Sequence, residues 1–206
     1  MTPDLRMLVR HALHTLRSPR HEARWVMSID LPRDIGWQAL VLNTVVSTLL
    51  MWCWVVLTLS GDVATLDPVQ RQIARLVLER PLTIGVAQTS LAVISVFVLF
   101  WGGRAFGGSG DFGSAISLVA WLAFVLNVLS VGQIAAWFVA PLIAFMVGLL
   151  AIVLVFVMLT SFCAELHGFE SLAKTFVGII VVGFSLMFGL SLLLAIIGVS
   201  TPGVPT

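Results

Sequence analysis

Residues 112–164 contain no Asp, Glu, Lys or Arg, and this uncharged stretch limits the possible folds more than any other feature. As one continuous α-helix the stretch would be about 80 Å long, whereas the hydrocarbon core of a bilayer is ~30 Å thick. The stretch therefore predicts two membrane crossings. A water-soluble domain is excluded as well, because such domains are about one quarter charged, against 10% for this chain.

Three further charge-free windows are each long enough to span a bilayer. They cover residues 35–61, 81–103 and 175–206. The sequence thus predicts an all-α membrane protein with five transmembrane helices, at 36–59, 82–101, 113–130, 135–160 and 175–198. The turn inside the long stretch is expected at 127–133, the polar, glycine-containing patch near its midpoint. One kinked helix with a re-entrant piece is the alternative.

The positions of the basic residues predict the orientation. Six arginines precede the first span, and Arg104 and Lys174 fall on the same side of the membrane. Arg71, Arg75 and Arg80 fall on the other side. The positive-inside rule favours a cytoplasmic N-terminus and an external C-terminus. The chain then divides into a cytoplasmic basic segment (1–34), a five-helix membrane domain (35–198) and a short tail (199–206). The net charge of +1 gives no basis for nucleic-acid binding.

The N-terminal segment is predicted to form a basic amphipathic helix. Thr2 serves as N-cap, followed by Pro and Asp, and the helix ends at Ser18-Pro19. Arg6, Arg10 and Arg17 share one face, opposite an apolar face. We expect either that the arginines contact anionic lipid headgroups or a partner, or that the helix packs on the protein's own cytoplasmic face.

A second amphipathic helix is predicted in the first loop. Asp67-Pro68 is a typical N-cap and first-turn pair, and Pro81 stops the helix. It is expected to lie along the outer membrane interface, with its apolar face on lipid.

Small residues recur at intervals of four through the predicted fourth helix, and their spacing is typical of a close helix-packing seam. Pro141, which falls among them, is expected to bend that helix. The seam residues are Gly132, Ala136, Ala140, Ala144 and Gly148.

The polar groups inside the spans are not ionisable, and amides such as Asn43, Gln88 and Asn127 are expected to join helices. A transport path, if present, would be lined by these three amides. Outside the spans, Glu165, His167 and Glu170 match no HExxH arrangement and are interpreted as a polar helix end. The sequence thus predicts no catalytic residue, cofactor or metal ligand.

The glycine-rich stretch at residues 101–112 differs from a phosphate-binding loop. Ser109 stands where the P-loop lysine would follow the second glycine of the spacing. We interpret the stretch as a flexible connector.

The chain resembles the Yip1 family of five-helix membrane proteins, and its short bacterial members in particular. The resemblance rests on Ser18-Pro19-Arg20 and Ala23-Arg24-Trp25 before the first span, the stretch 107–112 at the start of the third, a close hairpin of spans three and four, and a final helix near the C-terminus. It implies an integral membrane protein with a cytoplasmic N-terminus. In eukaryotic relatives it also implies contact with Rab-type GTPases and roles in membrane shaping. No catalytic residues carry over.

Two functions remain open. The first is a non-enzymatic scaffold or adaptor in a bacterial inner membrane. Its partners would be membrane lipids and an unidentified protein, with homo-oligomers possible through the small-residue seam. The alternative is a small transporter or channel subunit. A transport path requires Asn43, Gln88 and Asn127 to converge on one cavity, whereas a scaffold predicts that they are buried in pairs.

Overall fold

The computed structural model describes residues 4–59 and 66–196, and these residues form α-helices joined by short connections, without strands. The helices are α1 Leu5–Thr15, α2 Pro19–Ser28, α3 Arg33–Thr58, α4 Pro68–Glu79, α5 Pro81–Ala105, α6 Phe112–Trp137, α7 Pro141–His167 and α8 Leu172–Ile196.

Five of these helices, α3, α5, α6, α7 and α8, are long and apolar enough to cross a membrane. The longest, α7, has 27 residues, which is about 40 Å of helix. This length exceeds the hydrocarbon core by roughly 10 Å, so the helices are tilted or project beyond it. The predicted all-α, five-span architecture is confirmed.

Helix α6 forms the centre of the bundle and packs against both α3 and α7. Its residues 115–121 are all buried. Gly36 of α3 makes this packing close, because a Cβ atom added there would lie 2.8 Å from Cγ2 of Ile116. The contact between α3 and α6 thus depends on a residue without a side chain.

The turn between the third and fourth spans lies at 138–140, and its prediction at 127–133 is wrong. The polar patch does not mark a turn, because Asn127 is buried and hydrogen-bonded to Asn43 within the bundle. The turn instead precedes Pro141, which occupies the first turn of α7. A proline there removes an N–H that has no partner within the helix. Pro141 therefore starts a helix and does not bend one.

The small-residue stripe does not lie on one helix, contrary to expectation. Gly132 and Ala136 belong to α6, Ala140 lies in the turn, and Ala144 and Gly148 belong to α7. Ala144 is buried, and a Cβ on Gly148 would lie 2.7 Å from the Gln133 amide nitrogen, so the α7 part serves the α6–α7 contact. Contact between the small residues and another protomer stays a prediction.

Helices α1 and α2 and the connections 106–111 and 168–171 lie at one end of the bundle, which we call the N-terminal face. Helix α4 and the turn 138–140 lie at the opposite end. Helix α4 begins at Pro68, with Asp67 as its N-cap, and ends before Pro81, as predicted. It buries Ala74 and Val77 and leaves Val69 and Ile73 exposed. Part of its apolar face therefore packs within the protein, and its contact with lipid stays a prediction.

We expect Gly36→Leu to lower the thermal stability of the protein in detergent, because the new side chain overlaps Ile116. Overpacking of this kind costs about 1–3 kcal/mol. Gly132→Leu is the matched control, since Gly132 is exposed and has no heavy atom within 4 Å of an added Cβ. Equal melting temperatures for the two variants would contradict the close α3–α6 packing.

Candidate functional site

The N-terminal face is covered by a hairpin of α1 and α2, and the sequence predicted only its first helix. Asp4 caps α1 and accepts a hydrogen bond from the Arg6 N–H, whereas Thr2 was expected as the cap. Thr2 and Pro3 lie outside the described residues. Helix α1 ends near Ser18-Pro19 as predicted, but Pro19 also occupies the first turn of α2. A proline that closes one helix was thus not recognised as the start of the next.

Glu165 near the end of α7 fixes α2 to the bundle. Its carboxylate is 10% exposed and accepts hydrogen bonds from Arg20 Nε and, at 3.0 Å, from Arg24 Nη1. Charge-assisted bonds of this kind are stronger than neutral ones, and removing one partner leaves a charge without compensation. Helix α2 is therefore held on α7.

Aromatic contacts fix the hairpin on α6 as well. The indole Nε1–H of Trp121 donates to Thr15 Oγ1 at 3.1 Å, and both residues are buried. Trp25 of α2 packs edge to face on Trp121, with ring centroids 5.4 Å apart. Trp121 lies nine residues into α6, about 13 Å from the start of that helix. The hairpin thus packs along the side of the bundle and does not merely cover its end.

The interior of the hairpin contains a buried carboxylate surrounded by histidines. Glu22 is 1% exposed, and its oxygens lie 2.8 Å from His11 Nδ1, 2.6 Å from His14 Nδ1 and 3.3 Å from His21 Nδ1. Burial by itself would raise the pKa of Glu22. The hydrogen bonds from His11, His14 and His21 outweigh that effect and hold the pKa below its ordinary value. Glu22 is therefore ionised at neutral pH.

The arginines that the sequence singled out lie on the outer surface of α1 and, in the case of Arg17, in the turn that follows it. Arg6, Arg10 and Arg17 are all exposed, whereas Ala12 and Thr15 on the other face are buried against the protein. Two contacts were expected for this helix. Its apolar side packs on the protein itself, which is the second of them. Contact of the three arginines with lipid or a partner stays a prediction.

The glycine-rich connection encloses His167, so its interpretation as a flexible connector is wrong. A Cβ added at Gly103, Gly108 or Gly110 would lie within 3 Å of the His167 imidazole ring. The ring is buried, accepts a hydrogen bond from the Gly110 N–H at 3.2 Å, and donates from Nε2 to the Leu99 carbonyl at 2.9 Å. The glycines are needed because backbone and ring approach closely.

The acidic cluster beyond the fourth span does not form a single site. Glu165 binds the arginines of α2, His167 packs into the glycine-rich connection, and Glu170 is exposed. Sequence spacing does not reveal these partners. Arg20 and Glu165, for example, are 145 positions apart.

Polar side chains inside the spans form hydrogen bonds between helices. Asn127 Nδ2 donates to Asn43 Oδ1 at 3.1 Å, and Ser47 Oγ donates to Asn127 Oδ1 at 2.6 Å. Gln88 of α5 accepts a hydrogen bond from Thr48 of α3 at 3.2 Å. The amides thus join α3 to α6 and to α5, as expected.

Two of the three amides considered for a transport path line one cavity. Gln88 and Asn127 border a cavity of about 270 Å³ that also includes Gln133. Asn43 is hydrogen-bonded to Asn127 but is not among the residues that line the cavity.

These features define a polytopic α-helical membrane protein with a helical hairpin fixed to one face. The model of the Yip1 domain family matches residues 13–193, which is most of the chain, and the protein belongs to that family. The resemblance read from the sequence is thereby confirmed. No curated protein and no solved structure matches the chain.

We expect Glu165→Gln to loosen the hairpin, because the neutral amide no longer balances Arg20 and Arg24. In limited trypsin digestion, cleavage after Arg17 and Arg20 should accelerate by roughly tenfold or more, which corresponds to about 1.4 kcal/mol in the opening equilibrium. Glu170→Gln, an exposed carboxylate on the same face, is the control and should leave the rate unchanged. If Glu165→Gln digests like the wild type, these ion pairs do not hold the hairpin.

Substitution of two adjacent glycines in α5 tests the packing around His167. Gly103→Ala places a Cβ 2.1 Å from the imidazole and should lower the melting temperature, since overpacking of about 1–3 kcal/mol exceeds the ~1 kcal/mol gained in helix propensity. Gly102→Ala meets Val182 at an ordinary 3.6 Å and should be neutral or slightly stabilising. The reverse order of stabilities would contradict the close approach at His167.

Proposed function

We propose that this protein is a non-enzymatic scaffold or adaptor in a bacterial inner membrane. Its N-terminal face would lie on the cytoplasmic side and its C-terminus on the outer side. The observation that carries the proposal is the arrangement of α1. Its buried face is held on the bundle, while Arg6 and Arg10 on its other face and Arg17 in the turn after it are exposed. The binding surface is thus held ready before a lipid headgroup or a partner arrives.

The exposed face of α1 has the composition of a helix that binds anionic surfaces. Arg6 and Arg10 lie one turn apart and about 40° apart around the helix axis, and Arg17 follows in the turn after α1. Leu5 and Leu13 are exposed on the same helix, so apolar side chains accompany the charges. Each arginine near an anionic membrane surface contributes about 1 kcal/mol. Together they favour contact with acidic headgroups or with an acidic protein segment.

The titratable groups at the N-terminal face support a role without catalysis. Glu22 is surrounded by histidines, Glu165 is bound by two arginines, and His167 is hydrogen-bonded on both ring nitrogens. Within the described part of the chain, these groups are engaged in holding helices together. None of the three is paired with a nucleophile in the way that acyl or phosphoryl transfer requires.

A small transporter or channel subunit is the second candidate, and the cavity beside Gln88 and Asn127 favours it. The cavity is polar enough to hold water or a small solute. Asn43 is hydrogen-bonded to Asn127 but does not line the cavity. The three amides therefore do not all converge on one cavity, as a transport path would require.

The test is affinity purification of the tagged protein from native membranes in mild detergent, with quantification of the phospholipids and proteins that co-purify. We expect anionic phospholipid, or one defined protein, to be retained by the wild type and lost when Arg6, Arg10 and Arg17 are all changed to Glu. Changing Arg75 and Arg80 of the opposite end to Glu is the control. This variant should retain what the wild type retains, because those residues lie outside the proposed surface.

Two outcomes contradict the proposal. If the wild type and the α1 variant retain the same lipids and proteins, α1 is not a binding surface. If the purified protein instead catalyses solute flux in liposomes, and Asn127→Leu abolishes that flux, the protein is a transporter and the scaffold proposal fails.

A further inference from the structure

The hairpin brings two histidines from different helices to one oxygen of a buried carboxylate. His14 of α1 and His21 of α2 place Nδ1 at 2.6 and 3.3 Å from Glu22 Oε1. The two imidazole rings meet edge to face, with centroids 5.7 Å apart and an angle of 84° between their planes. All three ligand atoms lie within 4.8 Å of one another.

These separations are close to those of a tetrahedral metal site. Zinc binds imidazole nitrogen and carboxylate oxygen at about 2.0–2.2 Å, so neighbouring ligand atoms in a tetrahedron are about 3.3 Å apart. His21 already has that separation from Glu22. His14 needs to move back by about 0.7 Å to reach the same value, and its half-exposed side chain has room to do so.

We propose that His14, His21 and Glu22 bind a divalent transition-metal cation such as Zn²⁺, with water as the fourth ligand. Two imidazoles and one carboxylate are a ligand set that zinc uses in proteins, with an open position left for water. The site also has an entry path. Glu22 is buried, but His14 is 50% and His21 64% exposed, so an ion reaches the ligands from the solvent side.

A further histidine supports the ligand carboxylate from the side away from the proposed ion. His11 Nδ1 lies 2.8 Å from the other oxygen of Glu22, and the His11 ring stacks on Trp25 at 3.9 Å with planes 6° apart. An outer partner that orients a ligand is a common feature of metal sites and strengthens binding. In this arrangement His11 is a positioning residue and not a ligand.

Sequence spacing does not reveal this arrangement, because Ser18-Pro19 separates His14 from His21 and is predicted to end the N-terminal helix. The ligands lie on both helices of the hairpin, so a bound ion would connect α1 to α2. This role is independent of any partner that binds the arginines.

The experiment uses the full chain, purified without a polyhistidine tag and stripped of metal with a chelator. Zn²⁺ is titrated in competition with a chromophoric chelator. Co²⁺ is added separately, because its visible absorption is intense in a four-coordinate site and weak in a six-coordinate one. We expect one equivalent of Zn²⁺ to bind and Co²⁺ to give the intense spectrum.

His14→Asn and His21→Asn should each weaken Zn²⁺ binding by about 100-fold, since each removes a direct ligand. His11→Gln should weaken it less, by about 10-fold, as expected for an outer partner. Glu22→Gln should also abolish tight binding, with Glu170→Gln as the matched carboxylate control that retains it. Circular dichroism and trypsin resistance identify any variant in which the hairpin itself is lost.

Three results would overturn the proposal. They are the absence of any Zn²⁺ binding by the wild type, an affinity for Zn²⁺ that is unchanged in the variant lacking both His14 and His21, and a weak six-coordinate Co²⁺ spectrum. The His14 and His21 side chains are exposed, so we expect their substitution to leave the hairpin folded, and these variants test the proposal even if Glu22→Gln unfolds it. In each of these cases the histidines serve only as hydrogen-bond donors to Glu22.

Discussion

The arrangement of the N-terminal face depends on the neutralisation of two carboxylates that are largely shielded from water. An isolated carboxylate in such a place is very costly, so each must be surrounded by donors. Glu165 forms ion pairs with Arg20 and Arg24, and Glu22 accepts hydrogen bonds from histidines of both helices of the hairpin. Satisfying these two groups fixes α2 on α7 and α1 on α2. Together with the Trp121–Thr15 hydrogen bond, these contacts direct the exposed side of α1 away from the bundle.

The bilayer imposes a different requirement on the rest of the bundle. Backbone groups in the hydrocarbon are satisfied within each helix, so association relies on close packing and on a few side-chain hydrogen bonds. Gly36 provides the close packing between α3 and α6, and Asn43 with Asn127 provides the hydrogen bonds. Hydrogen bonds of this kind in membranes contribute about 0.6–2 kcal/mol each. The spans are thus held by several modest contacts, whereas the N-terminal face is held by charged ones.

The sequence allowed the membrane class, the number of spans and the family to be predicted, because charge-free windows and basic flanks reflect a strong physical constraint. Prediction from the sequence was wrong at positions where one residue type occurs in two kinds of structure. Asn127 was read as part of a turn because polar residues are frequent there, yet in this bundle it joins two helices. Pro19 and Pro141 were read as a stop and a bend, yet each starts a helix.

The candidate site was predictable only in part, for a related reason. The shared exposed face of Arg6 and Arg10 follows from helical spacing alone. The partners of Glu165 and the enclosure of His167 do not, because they join residues far apart in the chain. The histidines around Glu22 are closer in sequence, but they become neighbours only once α2 folds back on α1. Long-range partners of this kind require knowledge of which helices meet.

The central claim is that the α1–α2 hairpin is a fixed part of the bundle and not a mobile tail. Amide hydrogen exchange of the full-length protein in lipid nanodiscs, followed by mass spectrometry of peptides covering residues 5–28, tests it most directly. We expect slow exchange for the α2 amides, comparable to that of the last turns of α7, because opening them requires separation of the Glu165 ion pairs. Exchange at the rate of an unprotected peptide throughout 5–28 would contradict it.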